Sequence, residues 1–277
     1  MTGEKHAAHV SLAAVLLCAF VCAWTSPASS QLRVYVSNEK SDDVSVSNDS
    51  THGVITTVPV GKRPRGIRLG PDHKHLYVAL GDENRIAVLD AKTLQVGQKV
   101  AAGSDPESFD VSPNGTRLFV SNEDANTTSV VALEAGQVVG TIPVGIEPEG
   151  VTVSPDGRLV YVTGETSHTI SVIDANAAQV IATILVGSRP RESAFSPDSK
   201  KAYVTAEIGG TLSIIDVPTH TVIGTVPFEG GEAKPKGLVV TPDGKNVLVA
   251  NGSTQNVPVI DPTTNEVIAT VPVGRRP

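Results

Sequence analysis

The residues best placed to do chemistry are charged ones flanking a recurring proline. They read Arg63-Pro64-Arg65-Gly66, Asp105-Pro106-Glu107-Ser108, Glu147-Pro148-Glu149-Gly150, Arg189-Pro190-Arg191-Glu192 and Lys234-Pro235-Lys236-Gly237, with Arg275-Arg276-Pro277 as a sixth example. The sign runs plus, minus, minus, plus, plus, plus. A second set, Glu39, Glu123, Glu165 and Glu207, recurs four residues after an aromatic, with Gly81 and Gly252 standing in the other two repeats. Such a concentration of charge can bind a small anionic ligand or a charged protein partner by focusing the local field. It can equally pair internally and need no ligand, since exposed ion pairs contribute little.

Other chemistry is thinly represented. His52, His73, His75, His168 and His220 are scattered, whereas a catalytic metal wants three convergent ligands. Asp90, Asp174, Asp216 and Asp261 recur at the end of one predicted strand, where Asn48 and Ala132 also occur, which reads as Asx-turn chemistry. No nucleophile elbow, P-loop, dinucleotide fingerprint, zinc-protease motif or EF-hand loop is present. No catalytic residue, metal ligand set or cofactor site is therefore assigned.

The elements that position the charged residues form a repeat. RVYVSNEK, HLYVALGD, RLFVSNED, LVYVTGET, KAYVTAEI and NVLVANGS begin near residues 33, 75, 117, 159, 201 and 246, in steps of 42, 42, 42, 42 and 45. Tyr35, Tyr77, Tyr161 and Tyr203 share one repeat position, which Phe119 and Leu248 fill elsewhere. Turns such as Ser154-Pro155-Asp156-Gly157 keep the same step; proline presets φ and glycine accepts a positive one. Between the turns lie four runs per period, in the fourth repeat GVTVS, LVYVTG, TISVID and VIATILV, rich in Val, Ile and Thr as half-buried strands should be. No window carries an apolar stripe at helical spacing. Four strands per period of about 42 residues predict an all-β propeller of four-stranded antiparallel blades.

Proline orders the strands, here lettered A to D. Strand D carries Pro59, Pro143, Pro227 and Pro272 at one repeat position, and proline cannot donate to a central ladder, so D is the outer edge. Strand A is then innermost and lines the channel. Alternating strand direction places the D-to-A connections and the B-to-C hairpins on one face, where every charged residue named above collects. The Ser-Pro-Asp-Gly turns and C-to-D turns fall on the other.

The first 30 residues read differently. Val10 to Trp24 is an apolar run behind a short polar stretch, followed by small residues at Ala28 and Ser30, which predicts a secretory signal cleaved before Gln31; an uncleaved anchor is the alternative. Both cysteines, the only Trp and the only Met lie inside this segment, so a mature chain from 31 to 277 has no thiol, and cysteine nucleophiles, Cys zinc sites and Fe–S clusters drop out. A periplasmic or secreted location follows. The net charge of −7, with no basic arm, excludes a nucleic-acid role, and no membrane span is expected in the mature chain.

The units YVSNEK, YVTGETSHTISVID and YVTAEIGGTLSIID, with VGKRPRG, VGIEPEG and SPDG, resemble the YVTN-type β-propeller repeats of secreted bacterial and archaeal proteins, from Leu32 to Pro277. More narrowly, YVSNEKSDDVSV, SDPESFDVSPNG, IEPEGVTVSPDG, SRPRESAFSP and AEIGGTLSIID are similar to the β-propeller family associated with PQQ-dependent catabolism. That resemblance implies seven blades and partnership with a quinoprotein dehydrogenase or ABC transporter components, with any PQQ held by the partner. The insertion GGEAK before Pro235 is shorter than that family carries. Propeller lactonases offer a second comparison, implying a channel-mouth metal on Glu, Asn and Asp, for which Glu39, Asn38, Asn122 and Glu123 are the available side chains.

Six B-C-D sets but only five A strands are visible, which predicts either a six-bladed ring with one incomplete blade or a seven-bladed propeller short of one repeat. The functional expectation is a binding or scaffold module rather than an enzyme, accessory to quinoprotein alcohol oxidation. A lactonase-like hydrolase and a structural cell-surface repeat protein are the alternatives.

Overall fold

The structure, a computed structural model, describes residues 32–228 and 232–277. The expected signal segment lies outside the described residues, with both cysteines, Trp24 and Met1, as does the Gly230-Gly231 part of the insertion. Among the described residues no helix is long and apolar enough to cross a membrane.

Six antiparallel sheets form the blades of a β-propeller. Blade one has three strands, B, C and D, at Arg33–Asn38, Asp43–Asn48 and Val54–Pro59. The other five have four, beginning with A strands Pro64–Leu69, Pro106–Val111, Pro148–Val153, Pro190–Phe195 and Pro235–Val240. Within each sheet spatial order follows chain order, so A and D are the two edges. The A strands of blades two to six pack on one another in succession around the channel, as the proline argument requires. On the outer edge, Pro59, Pro143, Pro227 and Pro272 each end a D strand opposite the first residue of strand C. Of the two expected blade counts, the structure shows six blades, the first without its inner strand.

The core lies between blades. In blade four, Tyr161, Ile170 and Val172 pack forward on Phe195, Ala202 and Val204 of blade five, while Val160, Val162 and Ile173 pack backward on Phe119 and Val130 of blade three. Both faces of a blade are thus buried, which is why strands B and C are almost continuously apolar. The conserved-in-repeat aromatic is the largest forward knob: the Tyr161 and Phe195 rings lie 4.6 Å apart at 57°, and burying such a side chain contributes about 2–3 kcal/mol. Blade one's Val34 and Val36 occupy the positions of the fully buried Val160 and Val162 yet are each 46% exposed, because no blade precedes them among the described residues.

Two features depart from a simple repeat of straight strands. Every C–D pair has a register shift, for example between Val172 and Ile173 or Ile214 and Ile215, and such bulges add twist at the outer edge. The hairpin of blade two tightens into one turn of 3-10 helix, Gly81–Glu83.

Candidate binding site at the channel mouth

The charged face is built on a backbone device that the spacing alone did not foretell. Arg63, Asp105, Glu147, Arg189 and Lys234, the residues before the recurring proline, all adopt left-handed conformation, with φ of 51–58°. Pre-proline residues ordinarily favour extended backbone, and non-glycine residues rarely enter this region. Hydrogen bonds from both neighbouring blades hold the first four there, and one from the following blade holds Lys234. The N–H of Arg63 donates to Asp42 Oδ1 (2.9 Å), that of Asp105 to Asn84 Oδ1 (2.9 Å), that of Glu147 to Asn126 Oδ1 (2.8 Å) and that of Arg189 to His168 Nδ1 (3.2 Å), each acceptor lying in the hairpin of the preceding blade. Their carbonyls accept from the following blade's hairpin: Gly81, Glu123, Glu165, Glu207 and Gly252 donate to Arg63, Asp105, Glu147, Arg189 and Lys234. The acceptors Asp42, Asn84, Asn126 and His168 recur at the repeat step and are themselves left-handed. That recurrence of αL-tolerant types was the available signal. It also gives His168 a structural place, equivalent to the asparagines of blades two and three.

Upon this frame the side chains pair across blades. Arg65 spans from Glu39 of blade one (2.9 Å) to Glu107 of blade three, and Arg63 reaches Asp105 (2.5 Å) and Glu39 (3.4 Å). Arg191 of blade five holds Glu149 (2.5 Å) and Glu165 of blade four, Arg189 also contacts Glu165 (2.9 Å) and Glu207 (3.5 Å), and Lys236 of blade six reaches Glu207 (3.5 Å). Glu147 accepts the Thr166 hydroxyl and, like Lys234, stays exposed. Glu107, Glu165 and Glu207 are buried, so these pairs differ from ordinary surface bridges. A cavity of about 330 Å³ opens between them, bounded by Glu39, Arg65, Glu107, Glu149, Arg191 and Lys236.

The floor of that cavity was not anticipated. Glu192 stands at the channel position that blades two, three, four and six fill with Gly66, Ser108, Gly150 and Gly237, and its Oε1 lies 3.8 Å from Nη2 of Arg68 on blade two. Arg68 also approaches Asp110 of blade three (3.8 Å), whose other oxygen accepts the N–H of Val153. Glu192 faces the channel with about a quarter of its side chain accessible. Protein nevertheless surrounds it on every side, and this desolvation, assisted by Asp110 and Glu149 against the opposing pull of Arg68, pushes its carboxyl up to about 7. Asp110 is raised for the same cause. Glu123 is raised too, by burial first and then by Glu149 and Asp105.

Glu107, Glu123 and Glu149 bring oxygens within 4.8 Å of one another. Two of the three are already held by guanidinium groups, Glu107 by Arg65 and Glu149 by Arg191, so this set does not fit a resident metal ion. Asn38 and Asn122, named with Glu39 and Glu123 on the lactonase comparison, donate instead to their own hairpins, Asn38 to Asp43 and Ser45 and Asn122 to Thr127 and Ser129. The remaining histidines lie away from the mouth; His75 Nδ1 sits 2.6 Å from Asp72 on the opposite face. A larger hollow of about 590 Å³ on that face includes Asp156, Asp174, Asp198 and His220, but its three aspartates serve local turns.

A family model described as "Lactonase, 7-bladed beta-propeller" matches residues 29–139, and one described as "YNCE-like beta-propeller" matches residues 114–196. No curated protein matches in sequence. Among solved structures, a chain of hydrazine synthase from Kuenenia stuttgartiensis superposes with a TM-score of 0.78 at 21% identity, covering 88% of this chain and 84% of that one. A functionally unknown protein from Desulfotomaculum acetoxidans gives a TM-score of 0.73 at 13% identity, covering 86% and 81%. At these identities the likeness concerns the fold alone.

Proposed function

We propose that this chain is a non-enzymatic binding or scaffold propeller of the periplasm or the secreted fraction, accessory to PQQ-dependent alcohol oxidation, with the channel mouth as its contact face. One observation carries the reading: thirteen charged residues chosen by repeat position converge on one face, where most pair across blades around an open cavity. Because the mouth arginines are already engaged, the arrangement suits a charged protein that exchanges partners at the exposed rim better than a free anion. Glu39, Glu147, Lys234 and Lys236 are the exposed members of the set. A quinoprotein dehydrogenase or an ABC transporter component is the partner class the repeat motifs suggest. Co-purification of the chain with a co-expressed quinoprotein alcohol dehydrogenase, at low and high salt, tests this. Glu147→Lys combined with Lys234→Glu is expected to abolish capture while leaving thermal unfolding unchanged; capture that ignores both salt and these substitutions removes the reading.

The match of residues 29–139 to the lactonase model supports a second reading, a propeller hydrolase acting on lactones at the same mouth. Turnover of a lactone panel that disappears in Glu192→Gln would favour it, since Glu192 is the mouth carboxyl whose pKa suits acid–base work.

A further inference from the structure

Strand B of blade one, Arg33–Asn38, pairs with strand C on one side and with no A strand on the other among the described residues. Its sequence, RVYVSN, holds no proline or lysine of the kind that discourages pairing at an edge. The other five B strands show what this edge is shaped to hold. Each pairs antiparallel with a strand that opens on proline, and the residues three and five places later, such as Ile67 and Leu69, lie opposite the positions that Val36 and Val34 occupy in blade one. In blades three, four and five the hydroxyl of Ser121, Thr163 or Thr205 accepts an N–H of its own inner strand and donates to a carbonyl of the next one. Ser37, at the same position, makes only the second bond among the described residues, to the Arg65 carbonyl (2.6 Å). Charge follows the same comparison. Glu207 meets Arg189 and Arg191 of its own blade and Lys236 of the next, and 10% of its side chain is exposed. Glu39 meets only Arg63 and Arg65 of the next blade and keeps 48% exposed.

We propose that this edge docks an extended segment of a protein partner, added to blade one as its inner strand, with the pattern basic, Pro, basic, small, apolar, any, apolar. In such additions main-chain bonds supply affinity and alternate side chains supply specificity. The two basic residues close the open side of Glu39, as Arg189 and Arg191 do for Glu207. The residue after them is small because the backbone of the next blade crowds it: a Cβ at Gly66 would lie 3.1 Å from the Glu107 carbonyl, and one at Gly150 2.4 Å from that of Arg191. Its N–H meets Ser37 Oγ, as that of Gly150 meets Thr163 (2.7 Å). The two apolar residues extend the half-exposed surface of Val36 and Val34. The inference rests on the reading of the chain as a partner-binding module only in taking the ligand to be a protein; the grip it describes is on backbone rather than on the charged rim.

Fluorescence anisotropy of a labelled peptide titrated with the full chain tests the assignment. The probe is VGKRPRGIRLG, the chain's own residues 60–70; its scrambled form and AGSDPESFDVS, residues 102–112, are separate arms. Saturable binding of the probe is expected, about tenfold tighter than that of either control and weakened about tenfold by Val36→Asp. Val36 is half exposed, so this variant should unfold at the wild-type temperature. In the wild-type chain, bound probe should slow amide hydrogen exchange in residues 33–39 and leave residues 54–59, on the outer edge of the same blade, unchanged. No saturable binding, equal binding of the scrambled peptide, or undiminished binding in Val36→Asp would each overturn the proposal. So would an edge already protected in the free chain, which would assign it to residues of the chain itself, or self-association that the probe reverses, which would assign it to a second copy. Peptide binding without capture of a dehydrogenase removes only the accessory role; capture without peptide binding removes only the strand-addition site.

Discussion

On the face that carries the Ser-Pro-Asp-Gly turns, carboxylates serve their own backbone; at the mouth they serve the neighbouring blade. Asp72, Asp174 and Asp261 accept N–H groups two or three residues downstream, and those bonds hold their carboxyls below the usual range, Asp72 at about 2. Asp110, Glu123 and Glu192 are pushed the other way, chiefly by burial. A turn carries its donors with it and is satisfied as soon as it closes. A mouth carboxylate depends on cations two strands or a whole blade away, so its environment reports on the assembled ring.

Removing a cation at the mouth should show the contrast most strongly. Arg191, with 16% of its side chain exposed, holds both Glu149 and Glu165. Arg191→Met is expected to cost about 3 kcal/mol in urea unfolding, because it leaves Glu149 without a cation and Glu165 with Arg189 alone. A loss below about 1 kcal/mol would place these pairs with ordinary surface bridges and erase the distinction.

The second contrast is in pH. Burial raises Glu192 from an ordinary value of 4.5 to about 7, so the folded state binds an extra proton between those limits. The associated stability is complete below about pH 4.5 and is lost as pH rises through about 7, at most about 3 kcal/mol. Unfolding midpoints of Glu192→Gln at about pH 5 and about pH 8 should lose that slope, with the variant more stable than wild type at the higher pH. An unchanged slope would relocate the titration to another group.

Asp72 should give the smallest effect and the opposite sign. Its carboxyl is depressed from 3.8 to about 2, so its contribution is present above about pH 3.8 and disappears as pH falls towards 2. The side chain is 43% exposed, and screening holds the effect to about 1 kcal/mol. Asp72→Asn should flatten the acid limb of the unfolding curve by losing about 1 kcal/mol at neutral pH and meeting the wild-type curve near pH 2. Neutral stability equal to wild type would mean that the amide serves the turn as well as the charge does.

Much of the architecture was legible because the repeat states each instruction several times. The tyrosine position, the turn proline and the D-strand proline together order the strands, and strand direction then sends both charged sets to one face. The left-handed connectors were not legible, since the pre-proline rule argues for extended backbone; only the hydrogen bonds from two blades overturn that preference at Arg63 or Glu147. Nor could the repeat say which arginine meets which glutamate, because those contacts cross between sheets. Arg68, Asp110 and Glu192 break the repeat pattern, and at Glu192 the break itself is the signal: a carboxylate where the other inner strands carry Gly or Ser.

The clamped connectors have a consequence for how such a molecule changes over generations. A backbone N–H of the following blade's hairpin holds every knuckle, and a side-chain acceptor of the preceding hairpin holds four of the five, whatever side chain the knuckle bears: arginine, aspartate, glutamate and lysine all occupy the same left-handed conformation. The backbone conformation at these positions, one per inner strand, therefore does not depend on the sign of the charge. A duplicated or recombined blade can bring a different sign to the rim and still dock, so the address written around the channel is free to drift while the wheel that displays it is conserved.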